Sequence, residues 1–131
     1  MTAERLLAGA LLIAVLIAGT AASALPPGDA AAGARAFAAC AACHARIAGA
    51  PQRNGPALVA VIGKRAGAVD PGYAAYSPAL KSAKLTWTAE TLDAWLARPA
   101  KFVPGNRMAY PGMPDPVARA NLIAFLTTPP K

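Results

Sequence analysis

The pentapeptide Cys40-Ala41-Ala42-Cys43-His44 constrains this chain more than any other stretch, because it holds both cysteines and the only histidine of the sequence. Cysteines three residues apart lie on one side of a helical turn, where two thiols can add to the two vinyl groups of a haem. The histidine that follows is then held against the iron. This C-x-x-C-H spacing predicts one haem c per chain, attached through Cys40 and Cys43, with His44 as an iron ligand.

Three other interpretations of the cysteines fit the sequence less well. A redox-active dithiol is typical of a βαβ unit, and the chain has no such pattern. A disulfide would leave the adjacent histidine without a role. A structural zinc site needs four Cys or His ligands, and this chain has three. Haem attachment is the interpretation that uses all three side chains.

The first 24 residues have the pattern of a secretory signal peptide. A short segment with Arg5 precedes the apolar stretch from Leu6 to Ala18, and Ala22-Ser23-Ala24 is a small-residue cleavage site. Cleavage there leaves residues 25–131 as the exported domain. The alternative is an uncleaved anchor, because residues 6–25 carry no charge and approach the length of a bilayer span. For a bacterial chain, the first interpretation predicts the periplasm and the second the outer face of the inner membrane.

The composition indicates one small, basic domain. The 131 residues are 56% hydrophobic and 6% aromatic, and the net charge of +7 does not change when Glu4 and Arg5 leave with the signal. In an exported chain without a run of basic residues, this charge favours an acidic protein partner over nucleic acid. A chain of this length buries only a modest core unaided, so we expect the haem to form its centre.

Helix signals predict an all-α domain. Asp29 is an N-cap for a helix that runs to the pentapeptide, Ser77-Pro78 starts a short helix, Thr88 starts one that ends at Pro99, and Asp115-Pro116 starts the last. In the last helix, an inward stripe is expected from Ala118, Leu122, Phe125 and Leu126. Residues 101–108 show no periodicity and predict a loop, and no run is long enough to indicate a sheet.

The second axial ligand is left open by the residues alone. Met1 is lost with the signal, so Met108, after a Pro-Gly loop, and Met113, between Gly112 and Pro114, remain as thioether donors. Lysine, tyrosine and water are the other candidates. A thioether favours ferrous iron and raises the reduction potential, which suits a respiratory carrier.

Other residues are expected to support the haem. The turn at Asn54-Gly55-Pro56 could present a backbone carbonyl to the second ring nitrogen of His44, which would fix the imidazole and raise its basicity. Aromatic side chains at Tyr73, Tyr76 and Trp87 supply O–H and N–H donors that can reach buried carboxylates such as the haem propionates.

Beyond the pentapeptide, motifs at matched spacing resemble class I cytochrome c of the mitochondrial and alphaproteobacterial type. The resemblance runs from about Gly28 to Thr127 and rests on Gly33, Phe37, Gly55-Pro56, Tyr76-Ser77, Trp87, Pro104-Gly105 with Met108, and residues 121–126. It implies a small all-α cytochrome c fold, with about four helices wrapped around one covalently bound haem. The N- and C-terminal helices would cross at Gly33 and Phe37.

The resemblance also implies roles for single residues. Met108 would be the distal iron ligand, the carbonyl of Pro56 would bind His44, and Tyr76 and Trp87 would contact a propionate. The family's propionate-binding arginine directly follows a glycine; that position is Lys64 here and Arg65 comes next, so either is expected to serve. Asn106 replaces the usual Thr or Ser and is expected to keep a polar contact to the buried propionate.

The implied function is a diffusible one-electron carrier, not an enzyme, with low-spin iron closed on both faces. Its partners would be redox proteins with acidic docking surfaces, such as a quinol-oxidising cytochrome bc complex or a terminal oxidase. The basic ring around the haem edge is thin, with Arg53, Lys101 and Arg107 retained but Ala39 and Ala100 neutral, which predicts weaker steering. We expect a monomer that touches membrane only if residues 6–25 stay as an anchor.

Two alternatives remain from the sequence. One is a membrane-anchored subunit, or one dedicated to a single enzyme. The other is a ligand-binding or peroxidase-type haem protein, which would need a distal acid or base that the single histidine cannot provide.

Overall fold

The computed structural model describes residues 24–130, which form a helical domain. Within this range lie α1 (Ala30–Ala36), α2 (Pro78–Ser82), α3 (Ala89–Ala97), α4 (Pro99–Phe102) and α5 (Pro116–Thr127). A 3₁₀ turn, Phe37–Ala39, continues α1 toward the pentapeptide. The described residues contain no strand, only an isolated bridge between Arg65 and Thr86. The predicted signal falls outside them, except for Ala24.

The predicted helix starts are confirmed by capping geometry. The Asp29 carboxylate accepts from Ala31 and Ala32, the Ser77 hydroxyl from Leu80, the Thr88 hydroxyl from Thr91 and the Asp115 carboxylate from Val117. Each side chain satisfies backbone N–H groups that the first turn of a helix leaves without partners. Each of the four cap residues bonds to a backbone N–H no more than three positions further along the chain. Local sequence was therefore enough to locate them.

The predicted loop over residues 101–108 is wrong at its beginning. Helix α4 covers Pro99–Phe102, so Lys101 and Phe102 are helical. Pro99 ends α3, as predicted, but it also occupies the first position of α4. Proline is suited to that position because its fixed φ is helical and its missing N–H would have no partner there.

Helices α1 and α5 cross at the glycine that the resemblance indicated. A Cβ on Gly33 would collide with the backbone carbonyl of Asn121, so only glycine allows this approach. The Phe37 and Phe125 rings pack beside the crossing with centroids 5.4 Å apart. The N- and C-terminal ends of the domain are thereby fixed to each other.

The buried face of α5 is wider than predicted. Leu122 and Leu126 are buried as expected, but so are Ala120 and Ile123, whereas Ala118 and Phe125 are half-buried. The reason is that α5 packs against both α1 and α3, so two sides of the helix are covered. Between residues 24 and 130, no helix is long and apolar enough to cross a membrane.

Candidate haem site

The core of the domain is the wall of one cavity of about 480 Å³. This volume is typical of sites that enclose a small ligand or cofactor, roughly 300–1,000 Å³. Most buried apolar side chains face it, namely Phe37, Val61, Val69, Trp87, Leu92, Trp95, Leu96, Leu122 and Leu126. A core of this kind has the shape and chemistry to enclose a large apolar group.

The pentapeptide brings its three reactive side chains to this cavity. Cys40, Cys43 and His44 all line it. The backbone turns here, because the N–H groups of Cys43 and His44 both donate to the Cys40 carbonyl, at 3.1 and 2.9 Å. Burial raises the pKa of Cys40, and the neighbouring Cys43 adds to the effect, so the Cys40 thiol is protonated at neutral pH. One turn thus presents two thiols and one imidazole on the same side.

The imidazole of His44 is held by the turn that the sequence indicated. Its Nδ1 donates to the carbonyl oxygen of Pro56 at 2.8 Å. Because a carbonyl only accepts, the ring proton lies on Nδ1 and the lone pair on Nε2 is available to a metal. Burial lowers the pKa of His44, although the bond to Pro56 opposes this shift. The neutral imidazole, which is the form that ligates metals, is therefore favoured.

The two methionines lie in different places. Met108 lines the cavity together with the pentapeptide. Met113 packs against the core but is not among the lining residues. Its backbone is fixed instead, with its N–H donating to Leu96 at 2.7 Å and its carbonyl accepting from Arg119 at 2.8 Å. Of the two thioethers, only that of Met108 belongs to a residue that shares the cavity with His44.

Asn106 lines the cavity, but its amide is bound within the Met108 loop. The two hydrogens on Nδ2 go to the carbonyls of Pro99 at 3.0 Å and Val103 at 2.9 Å. Its Oδ1 accepts from the N–H of Met108 at 2.9 Å. The side chain expected at a propionate therefore fixes the backbone that carries Met108.

Tyr76 and Trp87 are buried residues of the cavity wall, as is Trp95. The Tyr76 hydroxyl accepts from the N–H of Asp70 at 2.8 Å and donates to the Asp70 carbonyl at a long 3.4 Å. Trp87 packs edge-on against Trp95, with centroids 5.5 Å apart. The Tyr76 hydroxyl thus keeps a hydrogen that is only loosely engaged.

Lys64 and Arg65 are not among the lining residues. The Lys64 ammonium donates to the carbonyls of Val59 at 2.8 Å and Val69 at 3.0 Å, so it ties two loop segments together. Arg65 is exposed, and its backbone forms the isolated bridge to Thr86. The structure therefore does not bring either cation into the cavity wall beside Tyr76 and Trp87.

Sequence reasoning missed two side chains that organise the site. The Asp70 carboxylate accepts from the N–H of Ala57, directly after Pro56. Arg46 donates to the carbonyls of Phe125 and Thr128 at the end of α5. Asp70-Pro71-Gly72 is a turn signature that could have directed attention to the aspartate. Arg46 gives no local signal, because its partners lie 79 and 82 residues away.

A helical domain with a C-x-x-C-H turn, a carbonyl-bound histidine and a methionine around one apolar cavity is a c-type haem protein by class. No family model matches the chain. Cytochrome c2 of Rhodopila globiformis is 42% identical over 104 residues, which cover 79% of this chain and 95% of that protein. Cytochrome c2 of Agrobacterium tumefaciens (strain II Chrys) is 46% identical over 102 residues, covering 76% and 90%.

A solved structure agrees with these relatives. Cytochrome cH from Methylobacterium extorquens superposes with a TM-score of 0.70 at 47% identity and covers 76% of this chain and 97% of that one. The chain belongs to the class I cytochrome c family. Members of this family bind haem c covalently, carry electrons and are not enzymes, which confirms the predicted family, cofactor and non-enzymatic character.

Proposed function

We propose that this protein is a one-electron carrier whose haem iron is low-spin, with His44 and Met108 as its two axial ligands. The observation that carries the proposal is that Met108, and not Met113, lines the same cavity as His44 and the two cysteines. The haem supplies the one-electron iron couple. With His44 and Met108 both holding the iron, no position would be left for a substrate.

Both ligand residues are held by their surroundings. His44 is fixed by the Pro56 carbonyl, and the loop of Met108 is fixed by the amide of Asn106. Ligands held by the same backbone contacts in both oxidation states need little rearrangement at each transfer. Fast electron transfer is the consequence that we expect.

At the propionates we propose Tyr76 and Trp87 as the direct donors, because both are buried in the cavity wall. Lys64 uses two of its three ammonium hydrogens on carbonyls and keeps one. Direct propionate contacts from Lys64, Arg65 and Asn106 stay predictions.

We further propose that residues 25–131 act as a monomer in the periplasm. The net charge of +7 and the exposed Arg53, Lys101 and Arg107 favour redox partners with acidic docking surfaces, such as a cytochrome bc complex or a terminal oxidase. Of the three basic residues, Arg107 also lines the cavity. Cytochrome c2 relatives support a place in an electron-transport chain.

The exported holoprotein tests this proposal. We expect a single one-electron wave in a redox titration, and transfer rates to a partner oxidase that fall as ionic strength rises. Ready binding of peroxide or carbon monoxide would favour the open-iron alternative instead. N-terminal sequencing of the natural protein separates a free carrier, which starts at Leu25, from an anchored one that keeps residues 6–25.

A further inference from the structure

The peptide unit that joins Pro56 to Ala57 is hydrogen-bonded to two side chains, the imidazole of His44 and the carboxylate of Asp70. Its carbonyl oxygen accepts from Nδ1 of His44 at 2.8 Å. Its N–H donates to Oδ2 of Asp70 at 2.9 Å. One planar amide therefore has the imidazole hydrogen-bonded on its carbonyl side and a carboxylate on its N–H side.

We propose that Asp70 is a positioning and tuning residue for His44 that acts through this peptide unit. A carboxylate on the N–H favours the amide resonance form that places negative charge on the carbonyl oxygen. That oxygen then accepts more strongly from the imidazole, which gains imidazolate character and donates more electron density to iron. The ferric state is stabilised, and the reduction potential is lower than without the carboxylate.

The surroundings of Asp70 keep its charge directed at backbone donors. Its second oxygen, Oδ1, accepts from the N–H of Gly72 at 3.0 Å, and its own N–H donates to the hydroxyl of Tyr76. Among residues 24–130, the ion pair present is that of Arg119 with Asp93, so no cation neutralises Asp70 within 4 Å. Hydrogen bonds to an ionised acceptor are about twice as strong as neutral ones.

Two simpler roles would also use this carboxylate. It could hold the loop without affecting the iron, or it could act on the haem directly through space. The first predicts no change in the ring of His44 when the charge is removed. The second predicts a change in potential without a change in the hydrogen bond of the ring.

The test compares holoprotein variants, and it rests on the proposed ligation of iron by His44. Asp70→Asn removes the charge but keeps an amide oxygen for the Ala57 N–H, whereas Asp70→Glu keeps the charge. Glu90→Gln removes one charge from an exposed side chain that does not line the cavity, so it is the matched control. Asp70→Ser, with a neutral hydroxyl acceptor, replaces Asp70→Asn if that variant does not assemble with haem.

Two quantities are measured at fixed ionic strength: the reduction potential, and the proton chemical shift of His44 Nδ1–H in the ferrous protein. We expect Asp70→Asn to raise the potential and move Nδ1–H upfield, with Asp70→Glu close to wild type and Glu90→Gln unchanged. If Asp70→Asn raises the potential but leaves the Nδ1–H shift unchanged, Asp70 does not act through the peptide unit and affects the haem directly through space. If Asp70→Asn changes neither the potential nor the Nδ1–H shift, the proposal is wrong and Asp70 only holds the loop. A wild-type protein without low-spin ferrous haem would instead contradict the proposed ligation, which is a separate result.

Discussion

A methyl group on Gly55 would lie 2.5 Å from Cε1 of His44 and 2.7 Å from its Nδ1. The backbone of Gly55 therefore packs directly against the imidazole, which also donates to the carbonyl of the next residue. A methyl there would press on the ring and strain its bond to Pro56. Gly55 is thus needed for the orientation of the proximal histidine and not only for a turn.

We predict that Gly55→Ala destabilises the holoprotein by about 1–3 kcal/mol, the usual cost of overpacking a tight site. Urea unfolding of the ferric protein measures this change. Gly72→Ala is the matched control, since its methyl would approach Asp70 Oδ1 at 3.4 Å, an ordinary contact. Equal losses for both variants would show that the contact with His44 has no special role.

Asn106 joins the loop of Met108 to α4 through three hydrogen bonds. If Met108 ligates iron as proposed, an external ligand such as imidazole binds ferric iron only after Met108 leaves. We predict that Asn106→Ala makes that departure easier. Loss of these bonds is worth about 1.5–3 kcal/mol, which corresponds to roughly 10- to 140-fold tighter apparent imidazole binding. Optical titration measures the affinity.

The control for this experiment is Asn121→Ala. This variant loses the hydrogen bond that the Asp29 N–H donates to Asn121 at the crossing of α1 and α5. Asn121 does not line the cavity. If it changes imidazole affinity as much as Asn106→Ala does, the effect is one of general stability, and the role given to Asn106 is wrong.

Arg46 joins the segment after the pentapeptide to the end of α5. Its guanidinium donates to Phe125 O at 2.8 Å and Thr128 O at 2.5 Å, and it lies 4.3 Å from the centre of the Phe125 ring. A cation there interacts favourably with the helix dipole and adds a donor to the last carbonyls of the helix. A lysine cannot reproduce this two-armed, stacked geometry.

We therefore predict that Arg46→Lys costs about 1–3 kcal/mol of stability in urea unfolding. Arg35→Lys, an exposed residue of α1, should stay within about 0.5 kcal/mol of wild type. An Arg46→Lys variant as stable as Arg35→Lys would mean that the charge alone, without the fork geometry, serves this contact.

Local sequence was enough for the helix starts and for the haem turn, because each depends on residues three or four positions apart. It was not enough for α4, because the same proline ends one helix and begins the next. The contacts of Arg46, Asp70 and Asn106 could not be predicted from local sequence either. Each of these side chains bonds to backbone carbonyl or N–H groups. The sequence pattern does not indicate which backbone groups the fold will bring near them.

The choice between two methionines shows the same limit. Met108 follows a Pro-Gly loop and Met113 lies between Gly112 and Pro114. The residues therefore left the distal ligand open, and the resemblance favoured Met108. The structure separates them by placement, since Met108 lines the cavity and Met113 is fixed on Leu96 and Arg119. A ligand position is a property of the loop path, which local composition does not determine.

The most direct test of the proposed carrier is the weak red absorption band of methionine-ligated ferric haem, measured in wild type, Met108→Ala and Met113→Ala. We predict the band in wild type and in Met113→Ala, and its loss in Met108→Ala, with haem still attached in all three. A band that survives in Met108→Ala and disappears in Met113→Ala would contradict the assignment of Met108. A wild-type protein without the band would contradict His/Met ligation itself.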